Sequence, residues 1–127
     1  MATPIRSYED LIVWQKAVDL CKQVYEFSAS FPPDERFGLI SQIRRSAVSI
    51  PSNIAEGYGR GTPSEYMRFL RVARGSLYEL ETQLVIAARL GFLDAARFQE
   101  IREHTRECGR ILAGLLRSIE NHGSASP

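Results

Sequence analysis

Apolar residues recur every three or four positions along most of the chain, which is the spacing of one face of an α-helix. Four such segments are separated by links that contain proline or glycine, and none shows the alternation of a β-strand. Short links and this periodicity are typical of a helix bundle. The pattern therefore predicts an all-α fold, an antiparallel up-down-up-down four-helix bundle. We expect a single domain over residues 7–121, with flexible termini at 1–6 and 122–127.

The second segment contains a proline, Pro51, at its centre. Proline removes one backbone donor and clashes with the carbonyl four residues earlier, so two separate helices are conceivable. The apolar register nevertheless passes through it without a phase jump, at Ile40, Ile43, Ala47, Ile50, Ile54 and Tyr58. The register predicts one continuous helix that is kinked at Pro51.

Capping residues predict where the other helices begin and end. Thr62 followed by Pro63, with Glu65 at the third helical position, is a strong start signal for helix 3. Weaker signals of the same kind are Ser7 with Asp10 for helix 1, Asp94 for helix 4, and Gly91 for the end of helix 3. Glycines in the string GYGRG predict the end of helix 2; a phosphate loop would need a preceding strand and a Lys-Ser/Thr ending.

Helix 1 carries two apolar rows that together span about 160° of its circumference, counting 100° per residue. A surface helix needs a stripe of only about 100°. The excess predicts contact with a second copy of the chain. The residues assigned to this oligomer interface are Val13, Leu20 and Phe27 on helix 1 and Phe69 and Val72 on helix 3.

Two polar residues of helix 2, Asn53 and Glu56, lie on a side that neighbouring helices could bury. A buried carboxylate needs a cationic or hydrogen-bonding partner. Arg44 or Arg45 could supply it, so the sequence predicts a buried polar network at Asn53 and Glu56.

Three runs in the sequence resemble a known family: YEDLIVWQKAVDL, FPPDERFGLISQIRRSAVSIPSNIAEGYGR and EYMRFLRVARGSLYELETQL. They resemble the 23S rRNA intervening-sequence proteins, small bacterial four-helix bundles. The family name records where some of the genes lie and names no activity. The resemblance implies association into rings, commonly pentamers. A related accessory protein of diversity-generating retroelements binds nucleic acid, but it is far more basic than this chain.

The composition, with 44% hydrophobic and 24% charged residues over 127 positions, is that of one globular domain. We expect a cytoplasmic protein that makes no membrane contact. The two cysteines form no disulfide framework, and the sequence shows neither an apolar leader nor a long apolar run. Net charge is only +1, but it is unevenly distributed. Residues 36–74 carry seven basic and two acidic groups, whereas residues 1–35 carry three basic and six acidic groups.

This basic segment supplies the one cluster of candidate functional residues: Arg44, Arg45, Arg60, Arg68, Arg71 and Arg74. In an antiparallel pair of helices, Arg45 and Arg74 would both lie roughly 18–25 Å from the connecting turn. Such a strip could contact phosphates, with Tyr58 or Tyr66 stacking on a base. The alternative is that these arginines pair with carboxylates of the bundle, at Glu56, Glu65, Glu79 and Glu81.

The chain offers little for catalysis or metal binding. His104 and Cys108 have ligand spacing, but a structural zinc site would also need Cys21 and His122, and both cysteines fall in core rows. We expect no metal, no cofactor, no catalytic residues and no small-molecule substrate. Two functions stay open: a non-enzymatic, ring-forming scaffold that associates with RNA, DNA or a nucleic-acid-handling protein, and a protein–protein adaptor that binds no nucleic acid.

Overall fold

The computed structural model describes residues 4–122, which form four α-helices and, within that range, no strand. The helices are α1 (Ile12–Ser28), α2 (Leu39–Tyr58), α3 (Pro63–Arg89) and α4 (Ala95–His122). Short 3-10 turns at Tyr8–Asp10 and Pro33–Glu35 precede α1 and α2. The all-helical prediction is confirmed.

The four helices pack around one apolar core. α1 contacts α2 and α4, and α3 contacts the same two helices, with the most extensive contact between α2 and α3. Three pairs mark the interfaces: the thiol of Cys21 with the carbonyl of Ala47, the hydroxyls of Ser49 and Ser76, and Gly109 beneath Leu77.

α2 passes through Pro51 as one helix, as the apolar register predicted. Proline has no backbone N–H, so the carbonyl of Ala47 loses its helical donor. The Cys21 thiol of α1 donates to that carbonyl at 2.9 Å. Burial raises the pKa of this thiol to about 11, which keeps it protonated and able to donate. A cysteine on the neighbouring helix thus compensates for the proline.

The ends of the domain differ from the prediction. Ser7 and Asp10 form the expected capping box, but it caps the 3-10 turn, and α1 begins later, at Ile12. Ile5 packs against the core, so this part of the amino-terminal arm is not loose. At the other end α4 continues through His122, one residue beyond the predicted boundary. Residues 1–3 and 123–127, predicted to be flexible, lie outside the described residues.

Local chemistry sets the internal boundaries as predicted. The Thr62 hydroxyl accepts from the backbone N–H of Glu65 at 3.2 Å, and the Asp94 carboxylate accepts from that of Arg97 at 2.8 Å. Gly91 follows α3 with φ of 81°, the left-handed region that suits glycine. Gly57 was expected to end α2, but it lies inside the helix and packs against α3.

The predicted oligomer interface is largely wrong in its residues. Val13, Leu20 and Phe27 are buried in the core of the single chain, and Phe69 is buried as well. Both apolar rows of α1 were candidates for the core, and periodicity alone does not choose between them. The exposed apolar residues of α1 lie elsewhere, at Ile12, Val18 and Tyr25. Val72 of α3 is exposed in the single chain, so its place in an interface stays a prediction.

The predicted buried network of Asn53 and Glu56 is wrong for Glu56. Glu56 is exposed and pairs with Arg60 one turn later, at 2.7 Å. The Asn53 amide is half-buried and donates to the carbonyl and the hydroxyl of Ser49. Ser49 in turn shares a hydrogen bond with Ser76. A neutral chain of hydroxyls and one amide therefore joins α2 to α3.

Candidate functional site

The six predicted arginines do not form one strip along α2 and α3. Arg60 and Arg68 lie at the α2–α3 turn, with their guanidinium groups 4.8 and 4.5 Å from the ring centre of Phe69. Each pairs with a nearby carboxylate: Arg60, just after α2, with Glu56 of α2 at 2.7 Å, and Arg68 with Glu65 of the same helix at 2.9 Å. Hydrogen bonding to Arg68 holds the pKa of Glu65 below its usual value. At the α2–α3 turn, therefore, the arginines pair with carboxylates of the bundle, which is the alternative that the sequence left open.

Two other arginines of the set lie further along α3. Arg71 is 4.0 Å from the exposed carboxylate of Glu120, a weak surface pair. Arg74 is half-buried. Among residues 4–122, the ion pairs of the predicted arginines use Glu56, Glu65 and Glu120, so Glu79 and Glu81 do not take the part proposed for them.

Arg44 is held in place by neutral groups. Its Nε donates to the Ser28 hydroxyl at 2.9 Å and its Nη2 donates to the carbonyl of Tyr25 at 3.2 Å. Its guanidinium carbon lies 4.5 Å from the centre of the Tyr25 ring. These contacts fix the orientation of the guanidinium and leave its positive charge uncompensated.

Arg44 belongs to an open groove of about 640 Å³ between α1 and the first half of α2. Its lining residues are Tyr25, Arg36, Phe37, Ile40, Ser41, Arg44, Arg45, Val48 and Ser49. The lining thus contains three arginines, two aromatic rings, two aliphatic side chains and no carboxylate. Within residues 4–122, none of these three arginines takes part in an ion pair.

Phe37 stands out in this groove because its side chain is 85% exposed. The Arg36 guanidinium lies 4.6 Å from its ring centre. The local chain explains the exposure, because Phe37 lies in the link between the 3-10 turn at Pro33–Glu35 and the start of α2. The Glu35 carboxylate accepts from the backbone N–H of Leu39 at 3.0 Å and so caps the start of α2.

Sequence reasoning found Arg44 and Arg45 and missed Tyr25, Arg36 and Phe37. The signal for the last two was present, since an aromatic residue next to an arginine opens the basic segment. Of the two predicted stacking residues, Tyr66 is buried, so the Tyr66 ring is not free to stack on a base. It packs edge-on against Tyr58, with 6.0 Å between the ring centres. Burial also raises the pKa of Tyr66.

Three other cavities have linings of mixed charge. Two lie between α1 and α4, one beside Glu26, Arg97 and Glu100, the other beside Lys16 and His104. In the part of the chain that the structure describes, no three histidine, cysteine or acidic side chains cluster so that they could hold a metal ion. Cys108, proposed as a partner of His104, is fully buried and its pKa is raised to about 12, mainly by burial.

The fold and the groove together define a small helical-bundle protein with a basic, aromatic-lined surface groove. The chain belongs to the 23S rRNA-intervening sequence protein family, whose model matches residues 9–114. The resemblance read from the sequence is therefore confirmed. None of the helices in residues 4–122 is both long and apolar enough to cross a membrane.

A solved structure supports the fold. It is the crystal structure of a protein of unknown function from the S23 ribosomal protein family of Bacteroides thetaiotaomicron, with 21% sequence identity and a TM-score of 0.75. The match covers 83% of this chain and 98% of that one. A search of curated proteins found no match to the sequence.

Proposed function

We propose that the protein is a non-enzymatic, self-associating helical scaffold that binds nucleic acid through the groove between α1 and α2. The observation that carries the proposal is the set of three arginines, Arg36, Arg44 and Arg45, in a groove whose lining has no carboxylate. Guanidinium groups bind phosphates bidentately and stack on flat rings, so this combination suits a nucleic-acid backbone.

Arg44 is the best-oriented of these groups. Its contacts are to a hydroxyl, a carbonyl and an aromatic ring, so no carboxylate competes with a phosphate for it and its side chain is already ordered. An arginine ordered before binding loses less conformational entropy when a phosphate arrives. By contrast, a phosphate that approached Arg60 or Arg68 would have to displace Glu56 or Glu65.

Self-association is the second part of the proposal. Exposed apolar side chains remain on α3 at Val72 and Ile86, at Leu90 just after α3, and on α1 at Ile12 and Val18. Surfaces of this kind, where contiguous, commonly mark protein–protein contacts. The family resemblance suggests a ring of five copies. Such a ring would repeat the basic groove around the assembly and raise the avidity of the assembly for a polymer.

We also propose the up-down-up-down order of the four helices and a kink in α2 at Pro51. Arg44 near the start of α2 contacts Ser28 at the end of α1, while Gly57 near the end of α2 contacts Tyr66 near the start of α3. These pairs support an antiparallel up-down-up-down order. A kink in α2 at Pro51 is expected from the proline's missing donor and from its clash with the preceding turn.

The absence of an enzymatic activity is proposed on the chemistry of the candidate nucleophiles. Both cysteine thiols, Cys21 and Cys108, have pKa values raised by burial, to about 11 and about 12, so they are protonated and poor nucleophiles near neutral pH. Both are free thiols, which also supports a reducing compartment such as the cytoplasm.

The test is the salt dependence of binding to RNA and DNA, with two charge-matched double variants. Arg36→Gln with Arg45→Gln removes two positive charges from the groove, and neither side chain makes an ion pair within residues 4–122. Arg60→Gln with Arg68→Gln removes two charges at the α2–α3 turn. We expect the groove variant alone to lower affinity and to reduce the slope of log K against log salt by about 0.7–0.9 per lost phosphate contact.

No binding at any salt concentration would refute the nucleic-acid proposal. Equal weakening by both double variants would show a general charge effect without a defined groove. The competing function, a protein–protein adaptor, draws on the aliphatic part of the same groove, Ile40 and Val48. Recovery of one defined protein partner that survives nuclease treatment and is lost in the groove variant would favour the adaptor.

A further inference from the structure

We infer that the groove between α1 and α2 takes single-stranded nucleic acid, with unpaired bases stacked on Phe37 and Tyr25 and phosphates bound by the adjacent arginines. The inference rests on the proposed function and deepens it, because it specifies the strand state of the ligand and the side chains that read it.

The first observation is the exposed aromatic surface. Phe37 and Tyr25 both line the groove, and they are 85% and 45% exposed. Phenylalanine is among the residues most often found buried, so a ring this open in a link beside three arginines is an unusual placement. A base that stacks on it would remove that apolar surface from water.

The second observation is the pairing of charge with rings. Arg36 lies against Phe37 at 4.6 Å and Arg44 lies against Tyr25 at 4.5 Å. Each couple offers a cation beside a flat apolar face. Each nucleotide of a single strand presents one phosphate, which a cation can bind, and one base, which can stack on a ring. Known binding sites for single strands combine cationic and aromatic side chains in this way.

The groove's contents argue against a duplex and against an acidic peptide. In a duplex the base faces are already stacked on one another. A duplex would therefore contact only the arginines and would make no stacking contact with Phe37 or Tyr25. An acidic peptide would satisfy the charges, but its carboxylate side chains carry no aromatic ring that could stack on Phe37. The open groove, about 640 Å³, is of the size that takes a nucleotide-sized ligand.

The experiment compares ligands and aromatic variants by fluorescence anisotropy with the full-length protein. The probes are a labelled oligothymidylate, a duplex of matched length and charge, and a labelled oligoglutamate peptide. Phe37→Ala removes the stacking face from an exposed position, and Phe37→Trp restores a larger one. Tyr78→Ala is the matched control, because Tyr78 is 57% exposed on α3 and lies outside the groove. Circular dichroism verifies that all variants are folded.

We expect the wild-type protein to bind the single strand more tightly than the duplex. Phe37→Ala should weaken single-strand binding about 5- to 150-fold, the range that corresponds to loss of one base–aromatic stack. It should leave duplex affinity unchanged. Phe37→Trp should retain single-strand affinity, and Tyr78→Ala should have no effect.

Three results would overturn the inference. Equal affinity for both strand states, with no effect of Phe37→Ala, would refute stacking while leaving nucleic-acid binding by the groove in place. Binding of the oligoglutamate peptide in preference to both nucleic acids would identify an acidic partner. Failure of every nucleic acid to bind at low salt would refute the proposed function itself, and the inference with it.

Discussion

α2 packs tightly against α3 at Gly57, so Gly57→Ala should lower stability, although helix propensity alone would predict an increase. A methyl group built on Gly57 would lie 2.7 Å from Cβ of Phe69, 3.2 Å from the backbone oxygen of Tyr66 and 3.3 Å from its ring. Two of these neighbours are backbone or Cβ atoms, which cannot rotate away. Gly57→Ala therefore forces the two helices apart.

The magnitude follows from two competing terms. Alanine is favoured over glycine inside a helix by up to about 1 kcal/mol. Forcing one extra carbon into a packed interface costs about 1–3 kcal/mol. Because a 2.7 Å approach lies far inside van der Waals contact, we expect the steric term to dominate and the free energy of unfolding to fall by roughly 1–2 kcal/mol.

The control is a glycine in the middle of the next helix. A methyl group on Gly75, which is exposed in α3, meets nothing within 4 Å. Gly75→Ala should therefore show the propensity term alone and stabilise the protein by about 0.5–1 kcal/mol. Thermal and urea unfolding followed by circular dichroism measure both. A Tm lowered by roughly 3–8 °C for Gly57→Ala and raised for Gly75→Ala is expected; a rise for both would refute the packing argument.

Other predictions follow from caps, thiols and the exposed face of α3. Thr62→Ala removes the amino-terminal cap of α3 and should lower the free energy of unfolding, measured by urea titration, by about 1 kcal/mol. An unchanged free energy of unfolding would show that the cap is dispensable. Because burial raises the pKa of Cys21 and Cys108 above the ordinary 9.0, the unfolded chain loses these protons first. Their contribution to stability is thus complete below pH 9 and declines as pH rises towards 11–12, and urea midpoints independent of pH in this window would contradict it. Sedimentation should give a mass well above the 14.3 kDa of one chain, and Val72→Glu with Ile86→Glu should reduce it; a monomer throughout would refute self-association.

Local chemistry was enough to predict the helices and most of their ends. Thr62, Asp94 and Gly91 act within one turn of the backbone they cap, so their roles can be read from neighbouring residues alone. The continuity of α2 through Pro51 followed from the apolar register. The donor that compensates for the proline, Cys21, comes from another helix, and nothing in the local sequence identifies it.

The candidate site was predicted only in part, because it is assembled from three segments. Arg44 and Arg45 were identified from the basic run on α2. Tyr25 comes from α1 and Phe37 from the link, and their convergence depends on how α1 packs beside α2. The same dependence explains the error on α1, where both rows are apolar and only the tertiary packing decides that the row containing Val13 is the buried one.

The central claim, that unpaired bases lie against the rings of the groove, is tested most directly by photo-crosslinking. A single strand that carries a halogenated pyrimidine is irradiated in complex with the protein, and the modified residue is identified by mass spectrometry. Adducts at Phe37 or Tyr25 are the predicted result. Adducts confined to the α2–α3 turn at Arg60 and Phe69, or to α4, would contradict it.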